Sequence, residues 1–164
     1  MTRRALLAGG VLLTLLATGG CGVRPSEVIT GRPAVSGPSR GVGLYLLGDG
    51  ELVLVLRPAS ADASPANALA LLAAGPLGSE RGQGLTSEVP AGLDPVTVTS
   101  GADGSGDLTV RTTGAARSLS PRAADQIICT VADAAAQVGL AGNSTPVAVV
   151  GSDGARPARP CPLS

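Results

Sequence analysis

The chain has 164 residues, 44% of them apolar, with twelve Arg and no Lys, no His, no Trp, no Phe and a single Tyr, Tyr45. Its formal charge is zero and falls to −2 once Arg3 and Arg4 are set aside with the leader described below. With neither a basic patch nor aromatic stacking residues, it lacks the footprint of a nucleic-acid binder. The length suits one domain, whose core must be built from Leu, Val, Ile and Ala.

Residues 1–20, MTRRALLAGGVLLTLLATGG, read as a signal peptide: two arginines, an apolar run from Ala5 to Ala17, then small residues. The run is short and glycine-containing for a membrane span. Cys21 follows directly, and LATGG-Cys resembles the lipobox of bacterial lipoproteins, with Thr18 at the position where Leu is most common. That resemblance implies cleavage before Cys21, a diacylglycerol on its thiol and an acylated (palmitate-type) N-terminus. Such chains anchor stably, because each buried CH₂ adds about 0.8 kcal/mol. The stretch TRRALL also resembles a twin-arginine export signal, with Leu6 in place of Phe. Residues 21–41, rich in Pro, Gly and Ser, are expected to form a tether. A literal G-x-S-x-G occurs there, Gly37 to Gly41, but Pro38 and the lack of any His leave Ser39 without the strand, helix and base of a nucleophile elbow.

The body begins with VGLYLLGDGELVLVLRPA, residues 42–59, which predicts a hairpin turning at Asp49-Gly50. The unbroken apolar run from Leu52 to Leu56, closed by Arg57, predicts a strand that is central or buried on both faces. Ser64 as N-cap and Pro65 at the first position open a helix through Ala74, with Leu69 and Leu72 inward and Leu71 beside them. Gly75 and Pro76 stop it. Residues 94–113 alternate (Val96, Val98, Leu108, Val110) and predict a second hairpin with one solvated face. Its turn, DGSGD, lacks the glycine and glutamate spacing of a calcium loop. Ser120-Pro121 opens a second helix carrying Ala124, Ile127, Ile128, Val131, Ala135 and Val138 on one face and ending at Gly139. Asn143-Ser144-Thr145 reads as a turn, and Val147 to Val150 as the last strand. The order strand–strand–helix–strand–strand–helix–strand predicts an α+β fold, a mixed or antiparallel sheet with two helices on one face.

Three cysteines become an even set once Cys21 carries lipid. Cys129 and Cys161 are then expected to pair in an oxidising compartment, contributing about 3 kcal/mol and pinning a C-terminal tail, residues 152–164. A metal site is not expected, with no His and no C-x-x-C, nor is a catalytic thiol without a His partner.

The stretch LALLAAGPLGSERGQGLTSEVPAG resembles the central signature of the GerMN domain, found in sporulation and germination proteins and in actinobacterial lipoproteins. The matching residues are Leu72, Gly75, Pro76, Glu80, Gly84, Leu85, Pro90 and Gly92. GELVLVLRPA, ending near Arg57, resembles a strand of that family. ADQIICTVADA, with Gln126, Ile127 and Thr130, resembles its late helix, although Cys129 stands where the family often has an aromatic residue. The resemblance spans residues 42–151 and implies that the signature is structural: a connection between helix and sheet, Leu85 pegged into the core, and Glu80 with Arg57 forming an ion pair or capping backbone amides.

Membrane attachment through lipid on the extracytoplasmic face, no cofactor, and a protein partner at the cell envelope are therefore expected of a non-catalytic scaffold. Two other functions compete. A carrier or sensor of a small envelope ligand or lipid needs an apolar cavity between helices and sheet. A carboxylate-based envelope hydrolase has only Asp49 with Glu51, or Asp103 with Asp107, as close acidic pairs, both in hairpin turns.

Overall fold

A computed structural model describes residues 41–58, 63–93, 95–100 and 107–163. The leader, Cys21, the tether up to residue 40 and Asp103 lie outside the described residues.

Chain order is β1 (Gly41–Gly48), β2 (Glu51–Pro58), α1 (Pro65–Ala73), α2 (Gly78–Gly82), β3 (Leu85–Thr86), β4 (Pro95–Ser100), β5 (Leu108–Thr112), α3 (Pro121–Gln137), β6 (Val147–Gly151) and β7 (Gly154–Arg159). The α+β class holds. The structure adds α2, β3 and β7 and divides the strands into two sheets, β2-β1-β3 and β4-β5-β6-β7. α2 has too few residues to show a helical period, and Pro157 masks β7 in the sequence. The expected tail is thus partly a strand, antiparallel to β6.

The hairpin β1–β2 pairs all eight positions from Gly41↔Pro58 to Gly48↔Glu51. Its turn needs two left-handed residues, which Asp49 (φ 51°) and Gly50 (φ 81°) supply. Both long helices start as their sequences predict. Ser64 Oγ accepts from the Asn67 N–H and Ser120 Oγ from the Ala123 N–H, each with Pro at the next position. Gly75 (φ 80°) follows α1 in a left-handed conformation that ends the helix. β5 and β6 are parallel, a pairing that requires a crossover, and α3 provides it.

The core joins Val42, Leu44 and Leu46 of β1 with Leu69 and Leu72 of α1. It continues through Ile127, Ile128 and Val131 of α3, Leu108 and Val110 of β5, and Val147 and Val149 of β6. Val138 departs from the expected stripe. It is the C-cap residue of α3 and lies exposed where the chain unwinds. β2 departs further. Its apolar run predicts burial, but β1 is the central strand and β2 an edge, with Val53, Leu54 and Leu56 exposed at 39%, 47% and 54%.

Candidate functional site

The loop after α1 is organised around one buried ion pair. Arg57, at the end of β2, and Glu80, in α2, are each only 6% exposed. Arg57 Nε donates to Glu80 Oε1 at 2.9 Å and Nη2 to Oε2 at 2.6 Å, a two-point fork. Nη1 donates to the Leu71 carbonyl at 3.1 Å, in the last turn of α1, and Nη2 to the Gly75 carbonyl at 2.9 Å, just beyond its end. Glu80 Oε2 also accepts from the Leu77 N–H at 2.6 Å. Arg57 and Glu80 thus form an ion pair that also takes up two carbonyls and one N–H of the stretch from Leu71 to Leu77. The Arg57 hydrogen bonds hold the Glu80 carboxyl below the ordinary carboxylate range, against the opposing effect of burial.

The other signature residues take separate places in the fold. Leu72 and Ile127 are fully buried, Pro76 follows the helix stop, and Leu85 packs partly buried against the core. Gly84 (φ 82°) and Gly92 (φ 80°) are left-handed, and Pro90 is exposed beside Gly92.

Gln126 and Thr130 of α3, both at 0% exposure, perform a second structural task. β3 pairs with β1 only at Leu47 and Gly48, so among the described residues the remainder of that edge has no strand beside it. α3 fills the gap. Tyr45 N–H donates to Thr130 Oγ1 at 3.0 Å, and Gln126 Nε2 donates to the Tyr45 carbonyl at 2.9 Å. Gln126 Oε1 accepts from the Glu88 N–H at 2.9 Å, which ties the 71–92 stretch to the same helix. An amide is suited to this place because it donates with one end and accepts with the other.

The Cys129 and Cys161 sulfurs are at bonding distance, 2.00 Å, joining α3 to the segment after β7. Beside them a cavity of about 100 Å³ is lined by Tyr45, Ala132 and Asp133. Burial pushes the Asp133 carboxyl above the ordinary Asp range, opposed by a hydrogen bond from Gln137. Asp49 and Glu51 are exposed in and beside the first hairpin turn. Among the described residues no cluster of three or more His, Cys, Asp or Glu could hold a metal ion. No helix among them is long and apolar enough to cross a membrane.

The larger openings lie at the surface. One, about 400 Å³, sits between the 88–93 loop and residues 114–120. The other is a groove of about 490 Å³ running along β2, from Val53 to Pro58, and closed on its far side by Leu77, Ser79 and Gln83. Leu77, 52% exposed, joins Val53, Leu54 and Leu56 as the exposed apolar residues of this groove, beside the polar Ser79 and Gln83. Sequence reading missed it, because an apolar strand predicts burial and nothing local in the chain says which strand lies at an edge.

No protein-family model, no curated protein and no solved structure matches the chain.

Proposed function

We propose that this protein is a lipid-anchored module of the extracytoplasmic membrane face, of the GerMN kind, that binds protein through an exposed strand and carries out no catalysis. The observation that carries the interaction reading is the apolar, uncovered edge of β2 with its groove. The bonded Cys129 and Cys161 sulfurs suit an oxidising compartment, and Cys21 directly after the signal-like leader suits lipid attachment. The buried charges support a structural part for the signature. Glu80 and Arg57 spend their hydrogen bonds on each other and on the backbone of the same chain.

The test has two arms. Cys21→Ala is expected to release the protein from washed membranes; a variant that stays in the membrane fraction overturns the anchor. A photo-crosslinking residue placed at Leu54 in the anchored chain is expected to capture protein in cells. The same residue at Val138, exposed on another element, is not. Equal capture from both positions overturns the interaction reading.

A further inference from the structure

We propose that the β2 edge pairs with the β2 edge of a second copy of this chain, antiparallel and centred on Leu54. This rests on reading that edge as a protein interface, and it names the partner.

The first support is the direction of the backbone groups. In an antiparallel ladder the N–H and C=O of one residue point to the same side, alternating along the strand. Those of Tyr45 go to Thr130 and Gln126, away from β2. Tyr45 lies opposite Leu54. The two are thus a non-hydrogen-bonded pair, and the N–H and C=O of Leu54 point outward, away from β1. By the same alternation so do those of Leu52 and Leu56. The outward set is Leu52, Leu54 and Leu56, spaced evenly about Leu54, with Pro58 at the strand's end adding a carbonyl but no N–H.

Antiparallel pairing about Leu54 matches all of them. It sets Leu54 against Leu54 of the second copy, and each Leu52 against a Leu56. Every outward N–H and C=O of the three leucines finds a partner, and six leucines meet on one face. A shift of two residues along the partner loses at least one of these pairs. The same register sets each Val53 opposite a Val55, on the face where the groove lies. It also brings Glu51 opposite Arg57 at both ends. Arg57 is already paired with Glu80 of its own chain, so Glu51 is the strand's exposed charge, and antiparallel pairing keeps the two copies of it at opposite ends. A parallel copy in register would align Glu51 with Glu51.

The second support is the contrast with the other described edges. β4 has Pro95 and a register shift against β5. β7 has Pro157, two arginines and a register shift against β6. β3 is two residues long. Prolines, charges, bulges and shortness are the devices that keep edges from pairing. β2 pairs without a shift along its full length and has none of these devices between Leu52 and Leu56. The paired sheet would run β3-β1-β2-β2-β1-β3.

The test uses the full-length chain in its own membranes, with Leu54→Cys, under mild oxidation. Hydrogen-bonded antiparallel partners have Cα atoms about 5.5 Å apart, within the range a disulfide spans. The expected result is a disulfide-linked homodimer on a non-reducing gel. Leu56→Cys alone is expected to stay monomeric, and Leu52→Cys/Leu56→Cys to cross-link, because those positions face each other only in this register. Val138→Cys reports random collision. Cross-linking of Leu54→Cys no greater than that of Val138→Cys overturns the proposal. So does a dimer formed equally by Leu56→Cys alone. If Leu54→Cys gives no homodimer while the photo-crosslinker at Leu54 captures a different protein, the self-pairing fails and the interface reading stands. If that crosslinker also captures no more than its Val138 counterpart, both fail.

Discussion

The two edges of the first sheet are finished in opposite ways. Along β1, where β3 stops, α3 lays Gln126 and Thr130 against the strand and takes up the N–H and C=O of Tyr45. Along β2, among the described residues, no strand or helix hydrogen-bonds the outer edge, and Leu54 and Leu56 stand about half exposed. Both strands are rich in Leu and Val. Apolar content therefore does not distinguish the covered edge from the bare one. The difference is written elsewhere, in two polar residues placed on the buried side of a helix thirty-odd positions beyond the signature loop. Covering an edge with a helix requires side chains that can replace a neighbouring strand's hydrogen bonds, since buried backbone groups left unpaired are costly.

The largest way to disturb this arrangement is at the end of β2 that is held. Glu80→Ala leaves the Arg57 guanidinium buried without its counter-charge and is expected to cost about 3–5 kcal/mol in urea unfolding. Replacing both partners by apolar residues of similar size should recover only part of that loss, because the Leu71 and Gly75 carbonyls and the Leu77 N–H lose their partners. The pH dependence follows from the lowered pKa of Glu80. Its contribution is fully present above the unfolded-state value, about 4.3, and is lost as pH falls through the lower folded-state value. Glu80→Gln should therefore be less stable than wild type near pH 7, with the gap narrowing on acidification. A gap that stays constant down to pH 2 would contradict the charge-based account.

Next in size is Gln126→Leu, which strips the cover from β1. It orphans the Tyr45 carbonyl and the Glu88 N–H together, at roughly 2–4 kcal/mol. Amide exchange at Glu88 should accelerate more than at Leu46 in the middle of the hairpin. Uniform acceleration would mean that the whole fold has loosened and that the edge is not specifically covered by Gln126.

How far these features could be read in advance depends on their range along the chain. The helix starts at Ser64-Pro65 and Ser120-Pro121, and the stop at Gly75-Pro76, are local, and the structure has them at those places. The Arg57–Glu80 contact joins residues 23 apart and was legible only through the family resemblance. The edge position of β2 was not legible, because strand order is set by long-range pairing, and the apolar run invited a central reading. α2, five residues long, and β7, containing Pro157, fall below the length or against the propensity on which sequence patterns depend.

A smaller effect probes where strand cover of β1 begins. Gly84, at φ 82°, immediately precedes β3, and a side chain there would meet open space. The cost of Gly84→Val is thus conformational, about 1–2 kcal/mol, from placing a β-branched residue in the left-handed region. Gly84→Ala should cost less than the Val variant. Equal costs would mean that something other than backbone conformation is being read.

The smallest change in stability belongs to the bare edge, and there the comparison is sharpest. Leu54→Lys replaces a side chain that is 47% exposed and leaves the backbone pairing with Tyr45 in place. The long stem of Lys still covers apolar surface while its charge stays in water, so urea unfolding should shift by no more than about 0.5 kcal/mol. The pairing of two copies should nonetheless be lost, because the register centred on Leu54 sets the two lysines directly against each other. The matching change on the covered side, Gln126→Leu, is expected to do the reverse: a large loss of stability with cross-linking at position 54 retained in the fraction that remains folded. If Leu54→Lys lowers stability as much as Gln126→Leu does, the β2 edge is buried within the folded chain, and the contrast between the two edges disappears. If it lowers neither stability nor association, the edge is bare but idle.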